Sequence, residues 1–250
     1  MRKLLFLTLL LSFSSCSGLF DDIYDEPQDA GAAKGKLYID ASSWTDWYYI
    51  DLKAVNDSLQ VNHQYNPSAA FIQHAIPMDS IGSQEKHGIY TYWYDVFGTG
   101  ISNHEFRHFT PTAKQDEPAS WSIAVHRNNV RTNGGAAYET DYTSMDDLPA
   151  SSEHFKDAVF IEDEWNETDV WTVQDLMLRG LIGNQGIEVN SVLSSWLKVE
   201  LPPLPPAFTL NNRIFILKMK DGTFAAIQLT NYQNAAGKKC CLTINYKYPY

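Results

Sequence analysis

The run His104-Glu105-Phe106-Arg107-His108 has the His-Glu-x-x-His spacing. On an α-helix that spacing sets two imidazoles one turn apart to hold zinc, with the glutamate placed to activate a metal-bound water. The chemistry requires a helix long enough to bury its back face, and a third protein ligand. Residues 97–103, FGTGISN, precede the motif, and Pro111 follows His108 by three residues, so a helix here is confined to about two turns. No Gly-x-x-His extension follows, and although Glu139 is available as a distant third ligand, nothing marks it. The preceding GIYTYWYDVFG is strand-like. Three readings stay open: a peptidase with Glu105 as base, a metal-binding pair of His104 and His108, and a solvated loop, which the short span favours. No Gly-x-Ser-x-Gly elbow and no Gly-rich phosphate loop occurs elsewhere. The acidic EDEWNETD (residues 162–169) reads as a solvated face. These observations point to a protein that is not an enzyme.

The elements that must position any site begin after a processing signal. Arg2 and Lys3 precede an apolar LLFLTLLL and a small polar SFSS ending at Cys16. The apolar run is too short to span a bilayer as a stable helix. Ser14 and Ser15 before Cys16 resemble a bacterial lipobox, with Phe13 standing where Leu is usual. Residues 1–15 are therefore expected to be a signal peptide and Cys16 the lipidated residue, with an ordinary cleaved signal as the alternative. Residues 16–35 are acidic, then small and polar, which suits a flexible tether. Asp21 and Asp22 resemble the surface-export signals of Bacteroidetes lipoproteins. Membrane contact is expected through the lipid only. A net charge of −11 and a pI near 5.0 exclude nucleic acid and anionic membrane surfaces as partners, because both need clustered Lys and Arg. Beyond Cys16 only the adjacent Cys240 and Cys241 remain, expected as one buried and one near-surface thiol.

From residue 36 to 250 the pattern predicts one domain, mainly β, built of antiparallel sheets with few short helices. Arg213–Met219 and Thr223–Leu229 are apolar or alternating runs joined at Asp221-Gly222, a favoured hairpin turn. Cys240–Tyr248 follows an Asn-Ala-Ala-Gly loop and completes a meander. KLYIDASSWTDWYYIDL predicts one or two strands around Trp44 and Trp47, and SWSIAVH a strand with Trp121, Ile123 and Val125 on one face. Helix is expected briefly near MDDLPASSEHF and over TVQDLMLRGLIG (residues 172–183), where Val173, Leu176 and Met177 recur at helical spacing.

SWSIAVHRNNVRTNGG (residues 120–135) resembles the HmuY family of Bacteroidetes haem-binding lipoproteins, with its Trp-x-x-Ala-x-His-Arg strand running into Arg-x-Asn-x-Gly. Further similar segments follow in the family's order: YIDASSWTDWYY (38–49), SMDDLP (144–149), SSWL (194–197), LNNRIFILKMKDGTFAAIQLTNYQ (210–233) and the terminal TINYKYPY. A longer insert spans about residues 55–115. The resemblance implies a lipid-anchored, HmuY-like all-β domain on the outer membrane, exposed at the cell surface. Such a protein captures haem, free or from haemoproteins, and passes it to a TonB-dependent outer-membrane receptor. It implies iron ligands, two His or two Met, from one loop before the SSWL strand and one just after it. In the first loop the matching residue is Met177, as a haem ligand or as a core methionine between Leu176 and Leu178. The second reads LPPLPP (201–206), with Leu201 and Leu204 where a ligand is expected. His104 and His108 offer a second, weaker route to haem iron. His126 reads as a hydrogen-bonded structural histidine and Met145 as packing. A non-haem-binding interaction lipoprotein of the same fold is the alternative.

Overall fold

The computed structural model describes residues 35–62, 71–75, 79–80, 89–95, 100–103, 108–110, 117–166, 169–173, 181–185, 187–200 and 205–250. Twenty strands occur among them. The first seven are β1 (Lys36–Asp40), β2 (Asp46–Ile50), β3 (Phe71–Ala75), β4 (Asp79–Ser80), β5 (Ile89–Asp95), β6 (Gly100–Asn103) and β7 (His108–Thr110). Then come β8 (Ile123–His126), β9 (Asn129–Thr132), β10 (Ala136–Glu139), β11 (Ile161–Glu162), β12 (Glu164–Asn166), β13 (Trp171–Val173), β14 (Leu181–Gln185) and β15 (Ile187–Val189). The last are β16 (Leu197–Glu200), β17 (Ala207–Leu210), β18 (Phe215–Lys218), β19 (Phe224–Thr230) and β20 (Cys241–Lys247). Helices α1 (Leu52–Asn62) and α2 (Ser191–Ser194) and a 3₁₀ turn (Ser152–Phe155) complete the set.

A six-stranded antiparallel sheet, ordered β1-β20-β19-β18-β10-β11, faces a four-stranded one, ordered β3-β2-β8-β9. Alternation along the strands makes the layers. Phe215 and Leu217 of β18, Ile227 of β19 and Leu242 and Ile244 of β20 meet Ile50, Ile123, Val125 and Val130 of the smaller sheet in the main core. The opposite faces are buried too. Ile214, Ile216 and Ala226 pack under Leu148 and Phe155, while Trp47, Tyr49 and Ala124 pack under Val170, Ile187 and Val189. A strand covered on both faces reads as a continuous apolar run, as RIFIL and SIAV do. Met145 is partly buried against the outer layer, in keeping with its packing role.

Several sequence expectations meet the structure directly. The terminal meander is present, but its first turn is longer than a two-residue hairpin. Lys218 pairs with Phe224, Met219 N–H donates to Thr223 O (2.8 Å), and Gly222 takes the positive φ of +85° at the bulge position. Trp121 does not share a face with Ile123 and Val125. It precedes β8 and packs edge-on against Tyr49 in the second layer, because the chain bends at Ser122, whose Oγ accepts from Leu52 N–H (3.1 Å).

The helix expected over 172–183 is corrected. Its ends are strands, Trp171 pairing with Asn184 and Val173 with Gly183. β14 pairs in turn with the long β5, and that ladder overrides a 3.6 spacing carried by only three apolar residues. The unanticipated helix is α1, capped by Asp51, whose Oδ1 accepts from Ala54 N–H (3.0 Å), with Leu52 and Val55 buried in the main core. Among the described residues no helix is long and apolar enough to cross a membrane.

Gly135, between β9 and β10, has no room for a side chain: a Cβ there would lie 2.6 Å from the Lys218 carbonyl oxygen. Gly135→Ala is expected to cost roughly 1–3 kcal/mol by forcing β10 off β18, measurable as a lowered midpoint in urea with an unchanged slope.

Candidate functional site

The tip of the β8–β9 hairpin, His126-Arg127-Asn128-Asn129, is a polar run that the two-layer packing buries. His126 and Asn129 are almost wholly inaccessible. Groups so placed lose water and must find partners, at a cost of about 1–3 kcal/mol for each one left unpaired. Hairpin β8–β9 supplies too few, so the tip reaches outward. His126 Nδ1 lies 3.0 Å from the Asp46 carbonyl oxygen and Nε2 lies 3.0 Å from the Trp171 carbonyl oxygen. Asn129 Nδ2 donates to Asp169 O (2.9 Å). The Asn128 carbonyl accepts from Trp196 Nε1 (2.9 Å), and Trp196 is fully buried. Arg127 takes a positive φ of 56° to make the turn, and its guanidinium stacks 4.0 Å over Trp44 while donating to Ser42 O (3.1 Å).

These contacts hold two separate segments at one place. Asp169 and Trp171 lead into β13, and Trp196 leads into β16, which pairs with β17 from Leu197↔Leu210 to Glu200↔Ala207. Between them lies a groove of about 270 Å³, lined on one side by Asn166, Asp169 and Trp171 and on the other by Leu197 and Val199, with Asn128 and Asn129 between. Its floor is fixed by α2, where Asn190 caps the helix by accepting from Leu193 N–H (2.9 Å) and Ser194 Oγ accepts from Val130 N–H (3.0 Å). Asn190 Nδ2 also donates to Asp163 (3.1 Å), whose carboxylate takes two more hydrogen bonds from Thr132 N and Oγ1 (2.7 and 2.9 Å). Asp163 thus belongs to the acidic EDEWNETD run without being simply solvated, and burial pushes its carboxyl above the ordinary range.

Residues 174–180 and 201–204, which follow β13 and β16 in the chain, lie outside the described residues. So therefore do Met177, Leu201 and Leu204, as do Cys16, His104 and Glu105. His108 is placed by its backbone: it opens β7 and pairs with Ser80, so no helix carries both imidazoles of the His-Glu-x-x-His motif, and neither the zinc-helix nor the loop reading holds at His108. Among the described residues no group of three or more His, Cys, Asp or Glu is arranged to hold a metal. Glu139 faces Ser195 and Arg213 instead. Cys240 is buried, its Sγ donating to Tyr232 Oη (3.2 Å), and Cys241 is half-buried; both are free thiols, as their positions in the sequence suggested.

A fold of this layout, with its polar hairpin tip, can be matched to known proteins. The model of the HmuY protein family matches residues 43–246. The chain belongs to the HmuY family. Among solved structures of HmuY-like proteins, a candidate haem-binding protein from Bacteroides vulgatus ATCC 8482 is 28% identical, with 86% of this chain and 91% of that one covered and a TM-score of 0.57. A candidate lipoprotein from Bacteroides fragilis NCTC 9343 is also 28% identical, over 86% of this chain and 89% of that one, at the same TM-score of 0.57. The apo HmuY analog of Tannerella forsythia, at 22% identity, 84% and 93% coverage and a TM-score of 0.57, shares the fold. A search of curated proteins finds no match.

The HmuY-family strand SIAVH ends in a fully buried histidine. Burial pulls the His126 imidazole below its ordinary 6.5, outweighing the two carbonyls that favour the charged ring. The unfolded chain therefore binds a proton near pH 6.5 that the folded chain does not, and stability falls as pH drops below that value. Thermal melts between pH 7.5 and 5.5 are expected to show a declining midpoint, with a shallower decline in His126→Gln; equal slopes in the two proteins would show that the ring does not titrate in this window.

Proposed function

We propose that this HmuY-family protein captures haem, or a flat macrocycle of the same shape, between residues 174–180 and 201–204 and holds it without transforming it. The observation that carries the reading is the shared groove: the strands leading to both segments border one cavity and are tied to one hairpin tip. Membership of a family with a solved HmuY-like relative described as haem-binding supports the choice of cargo. The described walls of the groove contain no His, Met, Cys or Tyr, so an iron ligand is supplied from beyond them. Residues 174–180 read QDLMLRG and residues 201–204 read LPPL, which leaves Met177 as the single soft donor. One thioether suits ferrous better than ferric iron.

Titration of the purified protein with haem is expected to give a saturable Soret shift, tighter under dithionite than in air. Met177→Ala is expected to weaken the reduced complex at least about tenfold, the scale of one lost ligand contact. An undiminished shift in Met177→Ala would transfer the ligand role elsewhere. No shift in the parent protein would select the second reading, an interaction lipoprotein of the same fold, which Leu201 and Leu204 in the expected ligand loop favour.

The protein works, in this reading, from the outer-membrane surface, anchored by acyl chains on Cys16 and passing cargo to a TonB-dependent receptor. The n-region, apolar run and Ser14-Ser15-Cys16 junction support the anchor. Detergent phase partitioning is expected to place the parent protein in the detergent phase and Cys16→Ser in the aqueous phase; identical partitioning of the two would remove the anchor from the account.

A further inference from the structure

A second cavity lies apart from the groove. It is a cleft of about 870 Å³ on the outer face of the six-stranded sheet, and it shares no lining residue with the groove. That volume lies in the range of sites that enclose small organic ligands. Its floor is the β19–β20 ladder at Gln228 and Asn245. One wall is the crossing segment with Met145, Leu148 and Pro149, and the other is the chain end with Tyr248, Pro249 and Tyr250.

The lining chemistry is aromatic and amide, with almost no charge. Lys247 is the single ionisable cation in the lining, and its ammonium is committed to the Met145 carbonyl oxygen. No carboxylate side chain lines the cleft. Among the described residues, an anion would find no uncommitted side-chain cation there, and a cation no side-chain carboxylate. The amides, in contrast, are only partly used. Gln228 is satisfied, its Nε2 donating to Thr143 O and Asn212 O (2.8 Å each) and its Oε1 accepting from Asn245 Nδ2 (3.1 Å). That leaves Asn245 Oδ1 without a protein partner among the described residues. Asn56 reaches the cleft from α1, is 8% exposed, and has no hydrogen-bond partner for its carboxamide among the described residues. A carboxamide that keeps some contact with solvent and has no protein partner is available to a ligand.

We propose that this cleft binds a neutral saccharide. Pyranose rings present apolar C–H faces that stack on Tyr and Pro, and hydroxyls that both donate and accept, which is what a carboxamide such as that of Asn56 complements. A purely apolar ligand would leave the amides unpaired. A peptide added as a strand is disfavoured because β20 is already paired on both edges at Asn245, to Lys36 of β1 and to Gln228 of β19.

The test is calorimetric titration of the purified protein with maltotriose, cellotriose, mannotriose, chitotriose and laminaritriose. At least one is expected to bind saturably with a dissociation constant below the millimolar range. Asn56→Asp, which keeps the shape but removes the amide donor, and Tyr248→Leu, which removes the stacking face, are each expected to weaken it about tenfold or more. Thermal melts check that both variants fold, and Met177→Ala is expected to leave saccharide binding unchanged. Absence of binding by all five sugars overturns the proposal. So does binding that both folded variants retain in full, and so does a cleft that takes up haem in place of sugar, read as a Soret shift lost in Tyr248→Leu but kept in Met177→Ala.

Discussion

A buried polar turn has to be paired, and in this molecule the pairing is done across sheets. His126, Asn128 and Asn129 sit at the end of a strand whose neighbours are Ile123, Ala124 and Val125, so the chain passes from apolar core to hydrogen-bonding groups without reaching solvent. Their partners are carbonyls of Asp46, Asp169 and Trp171 and the indole N–H of Trp196. Leaving any of these unmade strands a buried group, and that penalty fixes the relative positions of the β13 and β16 strands more firmly than apolar contact alone would. The groove between them is a by-product of satisfying the turn.

Layering explains why this polar cluster can exist without weakening the core. The six-stranded sheet is apolar on both faces along β18, with Phe215 and Leu217 on one side and Ile214 and Ile216 on the other. The four-stranded sheet is likewise covered on both sides by Ile123 and Val125 and by Ala124 and Trp47. His126 and Asn129 stand at the facing ends of β8 and β9, where a turn can aim several groups at once. The His126 ring is tilted against that of Trp47 with centroids 5.2 Å apart, so an aromatic wall limits how its imidazole can move. The tip thus gathers several buried hydrogen bonds, while Gln228 in the middle of β19 meets its own demand through Thr143, Asn212 and Asn245.

How much of this the sequence displayed depends on the distance over which each signal acts. RIFILKMKDGTFAAIQLTNY revealed its hairpin because alternation and an Asp-Gly turn are local. TVQDLMLRGLIG misled because its helical spacing is also local, whereas the partner that makes its ends strands, β5, lies about ninety residues earlier in the chain. The helix at LKAVNDSLQVN was readable from Asp51 and the Leu52, Val55 and Leu59 spacing, but its apolar residues are diluted by Lys53, Asn56, Asp57 and Gln60. The tip was partly legible: AVHRNNV shows polar groups where an apolar alternation stops. Its partners were not, because three of the four are backbone carbonyls, which any residue type supplies. For the same reason the ties of β13 to the tip do not depend on which side chains stand at Asp169 and Trp171.

The edge strand β1 has a mechanical consequence. Among the described residues it pairs along one side, with β20, through five rungs from Lys36↔Asn245 to Asp40↔Cys241. Lys36, at the first of those rungs, is where a force applied to the start of β1 enters the sheet. Pulled along the strand, the five rungs share the force and resist together; pulled sideways, they break in succession, beginning at Lys36. The direction of a pull, more than its size, decides whether the leading strand peels away.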